Sequence, residues 1–320
     1  MSGPDIDQDR VTEMGETQQQ HPKIARELAL LLVLATLWGV SYTFLKVAVA
    51  TIPPVTLIAG RTLIAGLLLV AIMHWRGIAL PADAANWRRF LFQACLNSVI
   101  PWTMVAWGTR ALDAGVATIL NSTAPIFTFF LTLAITRHEA VTFRKLVGVV
   151  AGMAGICLIV GMQALAGLGE QFAAQIVLLL AAVCYAGAAI FGRAFKNLDP
   201  MAPAAGSLLC GAAILIPASL VVDQPWTLAP SMNSLLALLA LAVFSTAFAF
   251  VIYFRLIQTL GSIGATAQAY LRVPIGVAAG VIFLGEQLSP TVWIGLACVV
   301  IGVAAMTIPA RKARPIEKAV

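Results

Sequence analysis

The chain is 320 residues long, 60% hydrophobic and only 11% charged, with a formal net charge of +6 and a mean hydropathy of +0.93. Soluble domains carry roughly 25% charged residues, so this composition excludes a soluble enzyme or binding module and points to an integral membrane protein. The five cysteines (Cys95, Cys157, Cys184, Cys210, Cys298) are odd in number and all fall in apolar stretches, which argues against a disulfide framework or a zinc site.

In chain order, residues 1–26 come first and are polar and acidic (Asp5, Asp7, Asp9, Glu13, Glu16). They lack the basic start, short apolar core and small-residue cleavage site of a signal peptide, and their composition predicts a disordered cytoplasmic tail. A hydrocarbon core about 30 Å thick needs roughly 20 apolar residues per helix. Ten stretches qualify: Leu28–Val49, Val55–Met73, Phe90–Gly108, Gly115–Thr136, Leu146–Leu165, Ala173–Phe195, Ala204–Val222, Ser234–Ile257, Ile263–Gly285 and Thr291–Ile308. Residues 310–320 form a basic C-terminal tail.

The ten spans are five spans written twice. A shift of about 147 to 149 positions carries Trp38, Phe44, Lys46 and Pro53 onto Tyr185, Phe191, Arg193 and Pro200. It also carries Gly115, Pro125, Glu139, Gly148 and Gly155 onto Gly264, Pro274, Glu286, Gly295 and Gly302. The period is far longer than the roughly 20–50 residues of a solenoid. Duplication of a unit with an odd number of spans places the copies upside down relative to each other, about an axis in the membrane plane, as in transporters. The expected fold is therefore an all-α integral membrane protein, two inverted five-helix repeats (27–166 and 167–309) around a central cavity.

Lys and Arg concentrate in cytoplasmic loops. With the N-terminus inside, of the 20 basic residues only Lys46 and Arg110 fall on the outer side, Arg61 and Arg272 lie within spans, and the rest are cytoplasmic. Both termini are thus expected inside. The net positive charge then reflects topology and anionic lipid, with no need for a nucleic acid.

Ionisable groups within the membrane are costly and mark function. No Asp, Glu or His falls near the middle of any span; Glu139, Glu286, His74 and His138 lie at helix ends. A proton-coupled carrier commonly uses a buried titratable group, so its absence favours a facilitative carrier driven by the substrate's own gradient. Arg272, near mid-depth in the ninth span, has a guanidinium fork suited to a carboxylate or phosphate. The alternative for Arg272, and for Arg61, is structural bonding to backbone carbonyls freed by Pro274 or Pro125. Lys46 is expected to snorkel.

Aromatic and amide side chains also gather at mid-depth: Trp38 and Tyr42 on one face of the first span, Asn97 and Trp102 flanking Pro101, Asn121, and then Tyr185, Phe244, Phe248, Tyr253, Gln268 and Tyr270. They suit a cavity for a zwitterion with an apolar side chain; the competing role is helix packing, with amides bonding between helices. Pro125 and Pro274 would kink spans 4 and 9 and serve as hinges or as fixed bends. Gly148, Gly152 and Gly155 make a small-residue face for close internal packing.

Trp38-Gly39 with Phe44 and Lys46, Arg61, Pro125 with Glu139, Pro274 with Glu286, and the paired glycines together resemble the EamA repeat of the drug/metabolite transporter superfamily, from about Glu27 to Ile308. Within it the chain is most similar to YddG-type exporters of aromatic and other amino acids. The second copy departs from the pattern with Tyr185-Ala186 for the usual Trp and small residue, and with Leu208 where the first has Arg61. The resemblance implies a bacterial inner-membrane exporter of amino acids, aromatic and other neutral ones, working by alternating access. The alternative substrates are drugs or other organic anions such as sugar phosphates and nucleotide derivatives, moved by proton-coupled efflux. The expected partners are a small-molecule substrate and the bilayer, for a monomer without cofactor or metal. No nucleophile, metal cluster or carboxylate pair supports an enzyme, and the duplication within one chain does not suit a channel built from rings of like groups.

Overall fold

A computed structural model of the chain describes residues 6–108, 114–135, 142–161, 171–275 and 290–308, with backbone alone at 6–23, 42, 43, 46, 106 and 114–117. The described residues are mainly helical, joined by short turns and without strands. Eight helices among them are long and apolar enough to cross a membrane. A bilayer forces this economy, because every backbone N–H and C=O has to be satisfied within its own segment.

Helix α1 spans Ile6–Ala48 and so takes in most of the segment whose composition predicts disorder. Its membrane-length apolar window begins only at Ile24. The acidic residues that suggest a disordered tail are also favourable at a helix N-terminus, where they complement the dipole. Helix α2 (Pro54–Trp75) opens with proline, whose missing N–H costs nothing in the first turn. Helix α3 (Ala84–Ala94) is capped by Asp83, which accepts the Asn86 N–H at 2.9 Å. It passes through a π-helical turn at Cys95–Val99 into α4 (Ile100–Gly108).

Helices α5 (Ala114–Asn121) and α6 (Ala124–Ile135) are two pieces of the fourth apolar stretch, parted at Ser122 and Thr123. Pro125 therefore sits in the first turn of α6 and not inside a continuous kinked helix; its lack of an N–H stops α5 from running on. Helix α7 (Phe143–Val160) starts from a Thr142 cap. Helices α8 (Phe172–Gly192) and α9 (Met201–Val222) follow.

Helix α10 (Met232–Ala242) is capped by Ser231, passes through a second π-turn at Val243–Phe248, and continues as α11 (Ala249–Thr266). Asp83 and Ser231 are repeat counterparts, as are the two π-turns. Gly261 breaks α11 with φ +77° and ψ 177°, a conformation a side chain would resist. After a turn at Ala267, α12 covers residues 268–275, and α13 (Pro290–Thr307) closes the described chain. Pro274 lies within the described part of α12, and residues 276–289 lie outside the described ones. Glu139, Glu286 and the basic C-terminal tail lie outside the described residues, as does the Lys46 side chain.

The helix contacts reflect the internal repeat. The most extensive joins α7 to α13 and the next α2 to α9, each pair formed by repeat counterparts. Contacts of α4 with α8 and of α1 with α11 are each other's image under the same operation. The α7–α13 seam rests on glycine: a Cβ on Gly148 would lie 2.7 Å from the Gly302 carbonyl, and one on Gly155 2.6 Å from the Gly295 carbonyl. The small-residue face thus packs inside the molecule, where lipid offers helices no hydrophobic drive and close contact takes its place.

Below the level of Trp38, one end of the bundle is filled by Leu31, Leu34, Phe90, Phe195, Phe250, Phe254, Ile257 and Ile263. Phe90 and Phe195 meet at 5.4 Å, and Phe195 and Phe254 edge-on at 6.0 Å. Beyond this plug, Arg255 Nη2 donates to Glu27 Oε1 at 2.6 Å, and the Thr259 hydroxyl donates to Glu27 Oε2 at 3.0 Å. Gln258 donates to the carbonyls of Phe195 and Leu198, both at 3.1 Å.

Candidate functional site

Above the plug lies a cavity of about 600 Å³, a volume in the usual range for small-molecule sites. Helices from both halves line it. Its wall runs from Trp38 through Ser41 and Leu45 on α1 to Val49 just past its end, and it reaches Pro54 at the start of α2. None of the residues at the Glu27 end takes part. With a rise of 1.5 Å per residue, Glu27 lies roughly 16 Å along α1 from Trp38.

The floor is aromatic. Trp38 lies 5.5 Å from Tyr253 and 6.3 Å from Phe250, and Trp102 lies 6.1 Å from Phe250. A guanidinium covers each tryptophan: Arg272 over Trp38 at 4.8 Å, Arg61 over Trp102 at 4.3 Å. Among the described lining residues these two arginines are the charged groups, with no Asp, Glu, His or Lys.

The arginines differ in how they are held. Arg61 is buried; its Nε donates to Thr246 Oγ1 and its Nη2 to the Ser245 carbonyl at 3.0 Å. Trp38 Nε1 donates to the same carbonyl at 3.1 Å, and the Ser245 hydroxyl donates to the Leu37 carbonyl at 2.8 Å. Arg61 thus ties α2 to the second π-turn. Arg272 donates from Nε to Gln268 Oε1 at 2.8 Å, one helical turn back. That bond engages Nε, and a carboxylate pairs with a guanidinium through its planar fork of N–H groups.

Nine of the residues singled out from the sequence border this cavity: Trp38, Arg61, Asn97, Trp102, Asn121, Tyr185, Tyr253, Gln268 and Arg272. Tyr270 does not. It is fully buried, its hydroxyl donates to the Val149 carbonyl at 3.0 Å, and its ring fills the space a Cβ on Gly152 would need. It packs α12 on α7. Phe244 and Phe248 turn outward, 52% and 45% exposed, with their rings 6.4 Å apart, so they face lipid and not the cavity. The side chain of Tyr42 lies outside the described residues. Phe250, Ser41 and Thr266 also line the cavity; Phe250 carries no polar mark that separates it in sequence from packing phenylalanines.

The sequence matches the model of the EamA-like transporter family twice, over residues 25–161 and 172–308. The chain belongs to the EamA-like transporter family. The chain is 28% identical over 280 residues to the uncharacterised inner membrane transporter YedA of Escherichia coli K12, covering 87% of this chain and 89% of that one. It is 28% identical over 289 residues to the uncharacterised transporter YvbV of Bacillus subtilis (88% and 91% covered), and 23% identical over 269 residues to YoaV of the same organism (83% and 91% covered). A solved crystal structure at 17% identity superposes with a TM-score of 0.74 over 88% of this chain and 97% of the other, a likeness of fold. The protein is thus a multi-pass membrane transporter rather than an enzyme, with a small-molecule substrate. Among the described residues no group of His, Cys, Asp and Glu could hold a metal ion.

Proposed function

We propose that this EamA-like protein is a facilitative inner-membrane carrier that exports small amino acids with apolar side chains, aromatic ones included, by alternating access. In this reading the chain has ten spans: α3, its π-turn and α4 form the third, and Gly261 divides the eighth from the ninth. Both termini are cytoplasmic in this reading, which the distribution of Lys and Arg supports. The Glu27 end is then the cytoplasmic side, and the cavity faces outward.

The observation that carries the reading is Arg272: a guanidinium at mid-depth, held on Trp38 and by Gln268, with an apolar aromatic floor beside it. A carboxylate pairs with the fork while an apolar side chain lies on the rings. The described lining has no titratable carboxylate or imidazole, which supports movement down the substrate gradient without proton coupling. Inward opening requires α11 to leave α1, parting Arg255 from Glu27 and opening the aromatic plug.

The test compares phenylalanine with phenylalaninamide, which lacks the carboxylate, in liposomes containing the wild type or Arg272→Leu. The substitution is expected to lower phenylalanine flux by at least tenfold, consistent with loss of a charge-assisted pair, and to leave phenylalaninamide flux unchanged. An equal fall in both would make Arg272 a structural residue.

A further inference from the structure

The two π-turns occupy equivalent places in the repeat: Asn97 corresponds to Ser245 and Ser98 to Thr246. They are not equally furnished. In the second half, the Ser245 carbonyl takes hydrogen bonds from Arg61 and Trp38, and Thr246 takes another from Arg61. In the first half the counterpart of Arg61 is Leu208, fully buried and without a donor.

Pro101 removes a second donor. It has no N–H for the Asn97 carbonyl, its α-helical acceptor, nor for the Leu96 carbonyl, its π-helical one. The Ile100 N–H is engaged by the Cys95 carbonyl. Among the side chains, Asn97 Nδ2 and Ser98 Oγ have no hydrogen-bond partner among the described residues. Asn97 is only 4% exposed, yet it borders the cavity. Buried polar groups are ordinarily paired, and π-turns cluster at functional sites.

We propose that the π-turn centred on Asn97 is the subsite for the substrate's amino group, the ammonium of the ligand standing where an arginine stands in the other half. This rests on the amino-acid reading, with Arg272 as the carboxylate subsite. The acceptors are the Asn97 carbonyl, which Pro101 leaves short of a donor, and the Asn97 side-chain amide, whose unpartnered Nδ2 lets the group turn its oxygen toward the ammonium. Each floor tryptophan already carries a guanidinium over its ring, so a second cation there would meet like charge, and recognition of the ammonium falls to oxygen atoms. The duplication thus yields specificity through its asymmetry: one π-turn is filled by the protein, the other by the cargo.

The experiment measures the ratio of phenylalanine flux to 3-phenylpropionate flux, the second lacking only the amino group, in proteoliposomes of the wild type, Asn97→Leu and Asn97→Asp. The wild type is expected to favour phenylalanine. Asn97→Leu should lower the ratio about tenfold while 3-phenylpropionate still moves, which also shows that the variant is folded. Asn97→Asp, which keeps an acceptor and adds a negative charge, should hold or raise it. An unchanged ratio in Asn97→Leu, or a lowered one in Asn97→Asp, overturns the proposal. A wild type that moves 3-phenylpropionate and no amino acid overturns the amino-acid reading itself, an outcome seen before any variant is compared.

Discussion

At the scale of single residues, Arg61 and Arg272 show how one side-chain type serves two ends. Both are guanidinium groups over tryptophan rings in one cavity, but Arg61 spends its donors on Ser245 and Thr246. We expect Arg61→Leu to lower thermal stability in detergent, by about 2 kcal/mol for the lost charged hydrogen bonds, while the substrate preference of the remaining folded carrier is unchanged. A shifted preference with unchanged melting would assign Arg61 to the substrate instead. In the sequence alone Arg272 stands out because charge within a span is rare. The role of Arg61 is not legible there, since its partners are some 185 residues away. Phe244 and Phe248 mislead for a related reason: lipid-facing and buried faces are both apolar, so composition does not say which way a phenylalanine points. Tyr270 reads as a cavity residue in sequence, but the glycine opposite it, Gly152, makes room for a packing contact.

At the scale of elements, hydropathy marked stretches that the described residues fold into eight helices long and apolar enough to cross a membrane, whereas the third stretch begins six residues inside a helix that a π-turn interrupts. The small-residue seam was legible as well, because glycine at helical spacing has few other uses in an apolar helix. Gly302→Leu should break the α7–α13 contact, since even a Cβ there would lie 2.6 Å from the Gly152 amide nitrogen. Poor yield and a melting temperature lowered by several degrees are the expected outcome, measured on purified protein. A normal melting temperature would mean that the seam yields more easily than its backbone contacts suggest. The π-turns were not legible, although Pro101 beside Asn97 is one physical cause of the first. The second has no proline; there Thr246 Oγ1 bonds the Leu241 carbonyl five residues back, and Arg61 enters from α2.

At the scale of the whole molecule, the fold follows from a duplicated unit, and its working asymmetry follows from the places where the copies differ. Glu27 and Arg255 close one end, whereas their repeat counterparts, Ala174 and Trp107, have no charges with which to do the same at the other. On the proposed topology this favours the outward-facing state. Glu27→Gln should therefore raise the reactivity of cysteines placed below Trp38 toward a cytoplasmic thiol reagent, and the exchanged pair Glu27→Arg with Arg255→Glu should restore protection. Unchanged labelling in Glu27→Gln would show that the aromatic plug closes that end unaided. The carrier as a whole is tested most directly by flux of radiolabelled aromatic and aliphatic amino acids into liposomes holding the purified protein, with and without an imposed pH gradient. The structure predicts downhill flux of several amino acids at the same rate in both conditions, because no acid or imidazole lines the described cavity. Uphill accumulation driven by the pH gradient alone, or no flux of any amino acid, would contradict it.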